Sequence, residues 1–407
     1  MTFIGAHINK MDGGLGGGET SDRVAVLVIG AAESDKLTLH KAYELLQLTD
    51  AEALGITAAG DQANGELSHY HISEVFRLSP ETRIHLIAVP KATKVSELKA
   101  LPRFITALRS IKGLNVISVA GLTADDSIKT VVQGMQLLVD DLAKDYIYID
   151  AVLPEGLGSY LGDGAISTLP NLREFDSEII TPVWAQDPAI AARNAAYGGH
   201  AAVGSALGML MVRAIHENLG SVDIEVKPRA RKSEQDYTLT DTKQGLWLSA
   251  ALSNGIAFET LSNSDQKKLD GLGIVYVGAF ADYGGYFFSD SHTCTAADSD
   301  YCYIERNSIW NKAARLIRTT LIPRIRGKVK SDPVTGYIEN TTITYWDGLV
   351  RRALDTMKTA RNIADFDIYI DPKQAAVSTS PFKVKVQIVA DGIVHEFEID
   401  LGYTKSI

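Results

Sequence analysis

The chain has 407 residues, 45% apolar and 22% charged, with a formal net charge of −10. That length exceeds one small core and predicts two domains, and the composition is that of an ordinary soluble globular protein. The negative charge argues against general nucleic-acid binding, no apolar run reaches the ~18 residues of a membrane span, and no basic-then-apolar secretory signal opens the chain.

The first element is a short apolar stretch, residues 2–8, with Phe3, Ile4 and Ile8. Behind it, Met11-Asp-Gly-Gly-Leu-Gly-Gly-Gly18 reads as a flexible tether, and a strand on such a tether is able to leave its own subunit. Residues 24–29 form a continuous apolar run and predict a buried strand, and 37–48 read as helical. A short helix at 50–55 stops at Gly55, and another helix follows near 66–78. Strands near 84–89, 115–119 and 146–152 then alternate with helices near 95–111 and 125–143. Apolar strands alternating with amphipathic helices predict an α/β fold with a mostly parallel, doubly wound sheet.

The stretch 155–175 is loop-rich, 179–184 reads as a strand, and the Ala-, Gly- and Met-rich segment 187–215 reads as packed helices. Residues 221–240 are polar and read as a loop or boundary, followed by a helix near 241–252 and a strand near 273–280. Long helices are expected near 302–321 and 343–362, and a strand at 366–370. Beyond it Val384, Val386 and Ile388 alternate with polar residues, Asp391-Gly392 is a hairpin turn signal, and Phe397, Ile399 and Leu401 repeat the alternation. A lone hairpin is marginal in water, so these strands predict pairing with more strands. The expected organisation is an arm at 1–22, an α/β domain at 23–225, a second at 226–381 and a hairpin arm at 382–407.

No catalytic constellation is complete. The glycine run precedes a strand, whereas a dinucleotide site needs its glycines after one. His69 and His71 are two apart, which on a helix sends them to different faces, so a metal is not expected, nor any cofactor. Ser159 and Ser205 sit outside any nucleophile-elbow pattern. With only Cys294 and Cys302, a reducing compartment is the simpler reading, and a bridge between them is the alternative. Charge is uneven: residues 306–361 carry twelve Lys/Arg against four acidic residues, read either as a solvated helix face or as a basic surface for an acidic partner.

The order of features in the C-terminal part resembles the sheath protein of contractile phage tails, R-type pyocins and related injection systems. The resemblance rests on Gly284-Gly-Tyr-Phe-Phe-Ser-Asp-Ser, Arg306 with the helix after it, Thr341-Thr-Ile-Thr-Tyr-Trp-Asp-Gly-Leu-Val-Arg, and Asp365-Phe-Asp-Ile-Tyr-Ile-Asp-Pro372. Leu48-Thr-Asp-Ala-Glu-Ala-Leu-Gly55 is similar to the family's opening layout. The resemblance implies a non-enzymatic subunit assembled in a bacterial cytoplasm into stacked six-fold rings around an inner tail tube, with baseplate and terminator proteins as further partners. It implies strand exchange through Phe3, Ile4, Ile8, Val384, Val386, Ile388, Phe397, Ile399 and Leu401, with either end of the chain as donor. It also implies a tube-facing basic set: Arg315, Arg318, Arg324, Arg326, Arg351 and Arg352. The competing reading is a soluble α/β enzyme or ligand-binding protein using the 155–164 glycine loop, since the fold class hosts both.

Overall fold

The computed structural model describes residues 22–162, 166–375, 381–399 and 401–403. The proposed N-terminal strand residues Phe3, Ile4 and Ile8 lie outside them. From the N-terminus the elements are β1 (Ala25–Ala31), β2 (Ala42–Leu45), α1 (Leu48–Ala53), α2 (Ala58–Asn64), α3 (Ser68–Leu78), β3 (Ile84–Pro90), α4 (Pro102–Ser110), β4 (Val116–Ala120), α5 (Ile128–Lys144) and β5 (Ala151–Pro154). Then come β6 (Ala185–Gln186), α6 (Pro188–Ala191), α7 (Val203–Val212), β7 (Ala251–Leu252), α8 (Asn263–Gly271), β8 (Val277–Gly278) and β9 (Phe287–Phe288). The chain closes with α9 (Ile304–Leu321), α10 (Asn340–Thr359), β10 (Asp365–Ile370) and β11 (Val384–Val389).

The main sheet has five strands in the order β2-β3-β1-β4-β5. β1 pairs in parallel with β3 and β4, β4 pairs in parallel with β5, and only β2 runs antiparallel, with Ala42 opposite Ile87. The fold is thus mixed α/β with a parallel-dominated sheet. β1 is buried on both faces, which explains its unbroken apolar run. Leu27 and Ile29 join the core formed with Ile72 and Val75 of α3 and Leu207 and Leu210 of α7. Val26 and Val28 join the other core, with Phe104 of α4 and Val131, Met135 and Leu138 of α5. Burial of each such side chain is worth about 1.5–3 kcal/mol, so the alternation sets the register of the sheet.

Several elements differ from the sequence expectation. The 37–48 segment is not a helix. It turns at His40, which has φ +59°, and returns as β2 along the edge of β3. Its apolar spacing suits either period, and the open edge of β3 decides between them. The expected helix at 95–111 is broken: a 3₁₀ turn over Val95–Ala100 ends at Leu101, and Pro102 starts α4 at the position where a missing N–H costs nothing. The 241–252 segment is not a helix but is irregular up to β7. Trp247 sits at φ +51°, its amide donates to Asp187 Oδ2 at 2.9 Å, and its indole N–H donates to Glu74 Oε2 at 3.1 Å. These long-range bonds fix the fully buried ring and override local helix propensity. The 146–152 strand starts later, as β5, after a turn at Tyr146 with φ +60°.

Buried residues on both sides of 225/226, such as Leu219, Ile224, Tyr237 and Trp247, share one core, which also takes in Ile304. A separate core lies beyond it, built from Ile309, Val350, Leu354, Met357, Phe366 and Ile368. Cys294 and Cys302 are both buried free thiols, and burial pushes the Cys294 thiol well up.

The contact of α3 with α7 contains a pH-sensitive group. Gly204 lies so close to His71 that a Cβ there would sit 2.2 Å from the His71 carbonyl oxygen. The Gly204 amide donates to His71 Nδ1 at 3.2 Å, and burial pushes the imidazole down to about 4. A histidine held neutral contributes stability above its unfolded pKa of about 6.5 and loses it as pH falls towards 4, because the unfolded chain binds the proton first. Asp61, raised by burial to about 6, acts with the opposite sign over an overlapping range, so total stability is a poor readout. We expect His71→Asn to be destabilised at pH 7 and to converge on the wild type by pH 4 in urea denaturation. Parallel stability curves for the two proteins would exclude His71 as the source.

Candidate assembly interface

β10 and β11 form an antiparallel pair in which Asp365 faces Val389 and Ile370 faces Val384. Phe366, Ile368 and Ile370 alternate inward, while Asp365, Asp367 and Tyr369 are exposed. On β11 the half-buried residues are Val384, Val386 and Ile388, which pack against the core of α9 and α10. Among the described residues this sheet has two strands only, so each strand keeps one unpaired edge.

The expected hairpin through Asp391-Gly392 does not form. The segment after Val389 makes no ladder among the described residues, and the strand beside β11 is β10. The 366–370 strand was legible in sequence, but its pairing across the intervening turn was not. Phe397, Ile399 and Leu401 are instead 79%, 80% and 95% exposed. Such an apolar row in water marks an interaction surface. His395 touches the body, with Nδ1 at 3.2 Å from Asp290 Oδ2 and its ring stacked on Tyr303 at 5.1 Å. Between α9 and β11 runs a groove of about 910 Å³, lined by Ile309, Trp310, Ala313, Ile317, Val384 and Val386. Trp310 is 46% exposed in it.

The six basic residues do not share one environment. Arg315 reaches back into the body, donating to the Tyr148 carbonyl and to Asp150 Oδ1, each at 3.2 Å. Asp150 is fully buried, and Asn311 also donates to its Oδ1 at 3.0 Å. Burial pushes the Asp150 carboxyl up, with Arg315 pulling against it. Arg315 therefore ties α9 to the start of β5. Arg318 covers the Tyr146 ring at 3.8 Å, and Arg324 lies 5.2 Å from that of Tyr345. Arg351 pairs with Asp347 one turn earlier, at 3.3 Å. Arg326 and Arg352 are exposed. Asp150 is the residue that sequence reasoning missed; nothing local distinguishes it from a strand-end aspartate.

Gly156 and Gly158, in the 155–164 loop, have a packing role. A Cβ on Gly156 would meet the Trp184 ring at 2.5 Å, and one on Gly158 the Ser253 carbonyl oxygen at 2.6 Å. Beside them a small cavity of about 220 Å³ sits at the ends of β1 and β4. Of its lining groups, Lys91 pairs with Glu66, and His200 donates to Glu155 at 2.8 Å, which also accepts from the Gly121 amide at 2.9 Å.

Residues 3–292 match the family described as DUF2586, N-terminal domain, and residues 300–407 match DUF2586, C-terminal domain. This chain belongs to the DUF2586 family. No curated protein matches it. Among solved structures, the DUF2586 chain is similar to a chain of the anti-feeding prophage baseplate, with 13% identity, full coverage of both chains and a TM-score of 0.58. It is similar to the anti-feeding prophage helical sheath in the contracted state at 14% identity, with full coverage of both chains and a TM-score of 0.57. A sheath tail protein from Desulfitobacterium hafniense gives 10% identity and a TM-score of 0.51, over 95% of this chain and 100% of that one. The DUF2586 chain therefore has the fold of contractile sheath proteins along almost its whole length. No described helix is long and apolar enough to cross a membrane.

Proposed function

We propose that this protein is the structural subunit of a contractile sheath. Its copies polymerise into stacked six-fold rings around an inner tube, and contraction drives that tube through a target envelope. The observation that carries the reading is the sheet of two strands whose outer edges are both open among the described residues, beside an exposed apolar segment, in a chain with the sheath fold along almost its whole length. One neighbour's N-terminal arm, with Phe3, Ile4 and Ile8, and another's 394–401 segment would extend the sheet at its two edges. The groove between α9 and β11 would receive the apolar side chains of the incoming strand. Packing on both faces of the main sheet supports the doubly wound description. The separate outer core supports drawing the domain boundary near residue 304 and not at 225/226. The role needs no active site: a metastable extended lattice relaxes to a better-packed one behind a kinetic barrier. Assembly in a bacterial cytoplasm and contacts with baseplate and terminator proteins follow from the same reading.

Negative-stain microscopy of the purified chain tests it. Rings or tubes of constant diameter are expected; only compact monomers across a range of concentrations and salts would overturn it. For the inner tube we propose the basic surface of the C-terminal unit, with exposed Arg326 and Arg352 contributing most directly. Exposed ion pairs are worth only about 0–1 kcal/mol each, which suits a contact that must release. Co-assembly with tube is expected to weaken as salt rises and to fall further in Arg326→Glu/Arg352→Glu, measured by co-sedimentation. Attachment indifferent to both would remove these residues from the interface.

A further inference from the structure

We infer that Asp270, Asp290, His292 and His395 form a binding site for a zinc-class divalent cation, which clasps the C-terminal segment to the body. The four residues come from three places in the chain: the end of α8, the segment after β9, and the exposed tail beyond β11. Three of them already converge. For Asp270, Asp290 and His292 the ligand atoms all lie within 4.8 Å of one another: His292 Nε2 is 2.5 Å from Asp270 Oδ1 and 3.6 Å from Asp290 Oδ2. His395 stands at the edge of this trio, its Nδ1 3.2 Å from the same Asp290 oxygen, and its side chain, 42% exposed, would swing inward to complete the set. Ligands held about 2.0–2.2 Å from a tetrahedral metal sit about 3.3 Å from one another. Two of the three separations meet that value. The third requires Asp270 to withdraw by about 1 Å to reach it. Its side chain is 56% exposed at a helix end and is free to do so.

The remainder of the site is built. His292 is 2% exposed, and the Tyr303 ring packs against both imidazoles, at 5.4 Å from His292 and 5.1 Å from His395. Asp290 is buried, and its other oxygen is occupied: Oδ1 accepts from Asn218 Nδ2 at 2.6 Å and from the Ser291 amide at 2.7 Å. Those bonds orient Oδ2 towards the two histidines, as outer partners do for metal-ligating carboxylates. Two carboxylates and two neutral imidazoles balance a divalent charge. Nitrogen donors favour zinc and its neighbours over magnesium or calcium, which take oxygen ligands. The sequence predicts no metal, because His69 and His71 are two apart on a helix and 125 residues separate Asp270 from His395. The fold removes that separation.

The consequence concerns the tail. His395 stands between Val394 and Phe397, so the cation would pin the base of the exposed apolar segment and leave the residues beyond it free to reach a neighbour. The metal site itself does not depend on the sheath reading and is measured on the unassembled chain.

The test uses the full chain, freed of metal with a chelator and titrated with Zn²⁺ by calorimetry and with Co²⁺ by visible absorption at neutral pH. One ion per chain is expected, with the d–d bands of a four-coordinate Co²⁺ site. His395→Ala and Asp270→Asn should each weaken binding at least tenfold, in line with loss of a ligand, with circular dichroism unchanged. Zn²⁺ should also slow hydrogen exchange across residues 390–399 in the wild type and not in His395→Ala. Absence of stoichiometric binding, wild-type affinity in His395→Ala, or exchange in 390–399 that ignores Zn²⁺ would each overturn the inference.

Discussion

Removing residues 1–20 should yield a folded protein that no longer polymerises. The cut spares the first described contacts of the body: Asp22 receives Lys312 at 2.6 Å, its carbonyl accepts from Asn115 Nδ2 at 2.7 Å, and Arg23 donates to the Leu210 carbonyl at 2.6 Å. Thermal stability should therefore stay at the wild-type value. On the proposed reading the lost arm is different in kind, because its apolar residues would pair in another subunit. A seven-residue strand reaches about 23 Å and makes about five ladder hydrogen bonds, each worth roughly 0.5–1.5 kcal/mol net. Losing a few kcal/mol at every subunit contact raises the concentration needed for assembly by a factor of about a hundred to a thousand. Sedimentation velocity and microscopy measure this directly. Tubes that form from the truncated chain at wild-type concentration would remove the N-terminal arm from the assembly mechanism.

The paired change Phe397→Asp/Ile399→Asp should have an effect of similar size at the other end. Both side chains are about four-fifths exposed in the single chain, so their replacement should move its stability by no more than about 0.5 kcal/mol. If they are buried in a neighbour, each contributes about 1.5–3 kcal/mol, and a carboxylate in the same place adds a desolvation cost. Assembly should weaken by more than about a hundredfold. Val386→Asp would test the receiving side less cleanly, since Val386 also packs on the core of α9 and α10. A Phe397→Asp/Ile399→Asp protein that assembles normally would mean that this segment stays in solvent in the polymer. Comparing the two variants also identifies the donor: if only one end abolishes tubes, that end carries the exchange.

The sequence alone determined the elements whose burial pattern is internal to them. The near-continuous apolar runs of β1, β3 and β4, interrupted only by His85 and Ser118, read as strands buried on both faces, and the 17-residue α5 repeats its apolar positions at helical spacing under a Ser127 cap. The alternation of β10 and β11 was equally plain, because a strand with one dry face reports that face every second residue. Tertiary structure decided whatever depended on a distant partner. Residues 42–45 became a strand because the edge of β3 needed one, and 241–252 lost its helix because Asp187 and Glu74 hold Trp247 from elsewhere in the chain. Arg315, one of a basic run in sequence, turned inward because Asp150 is buried and requires a counter-charge. The gathering of Asp270, Asp290, His292 and His395 was invisible for the same reason. Periodicity records which face of an element is dry, but it carries no information on which other element supplies the opposing atoms.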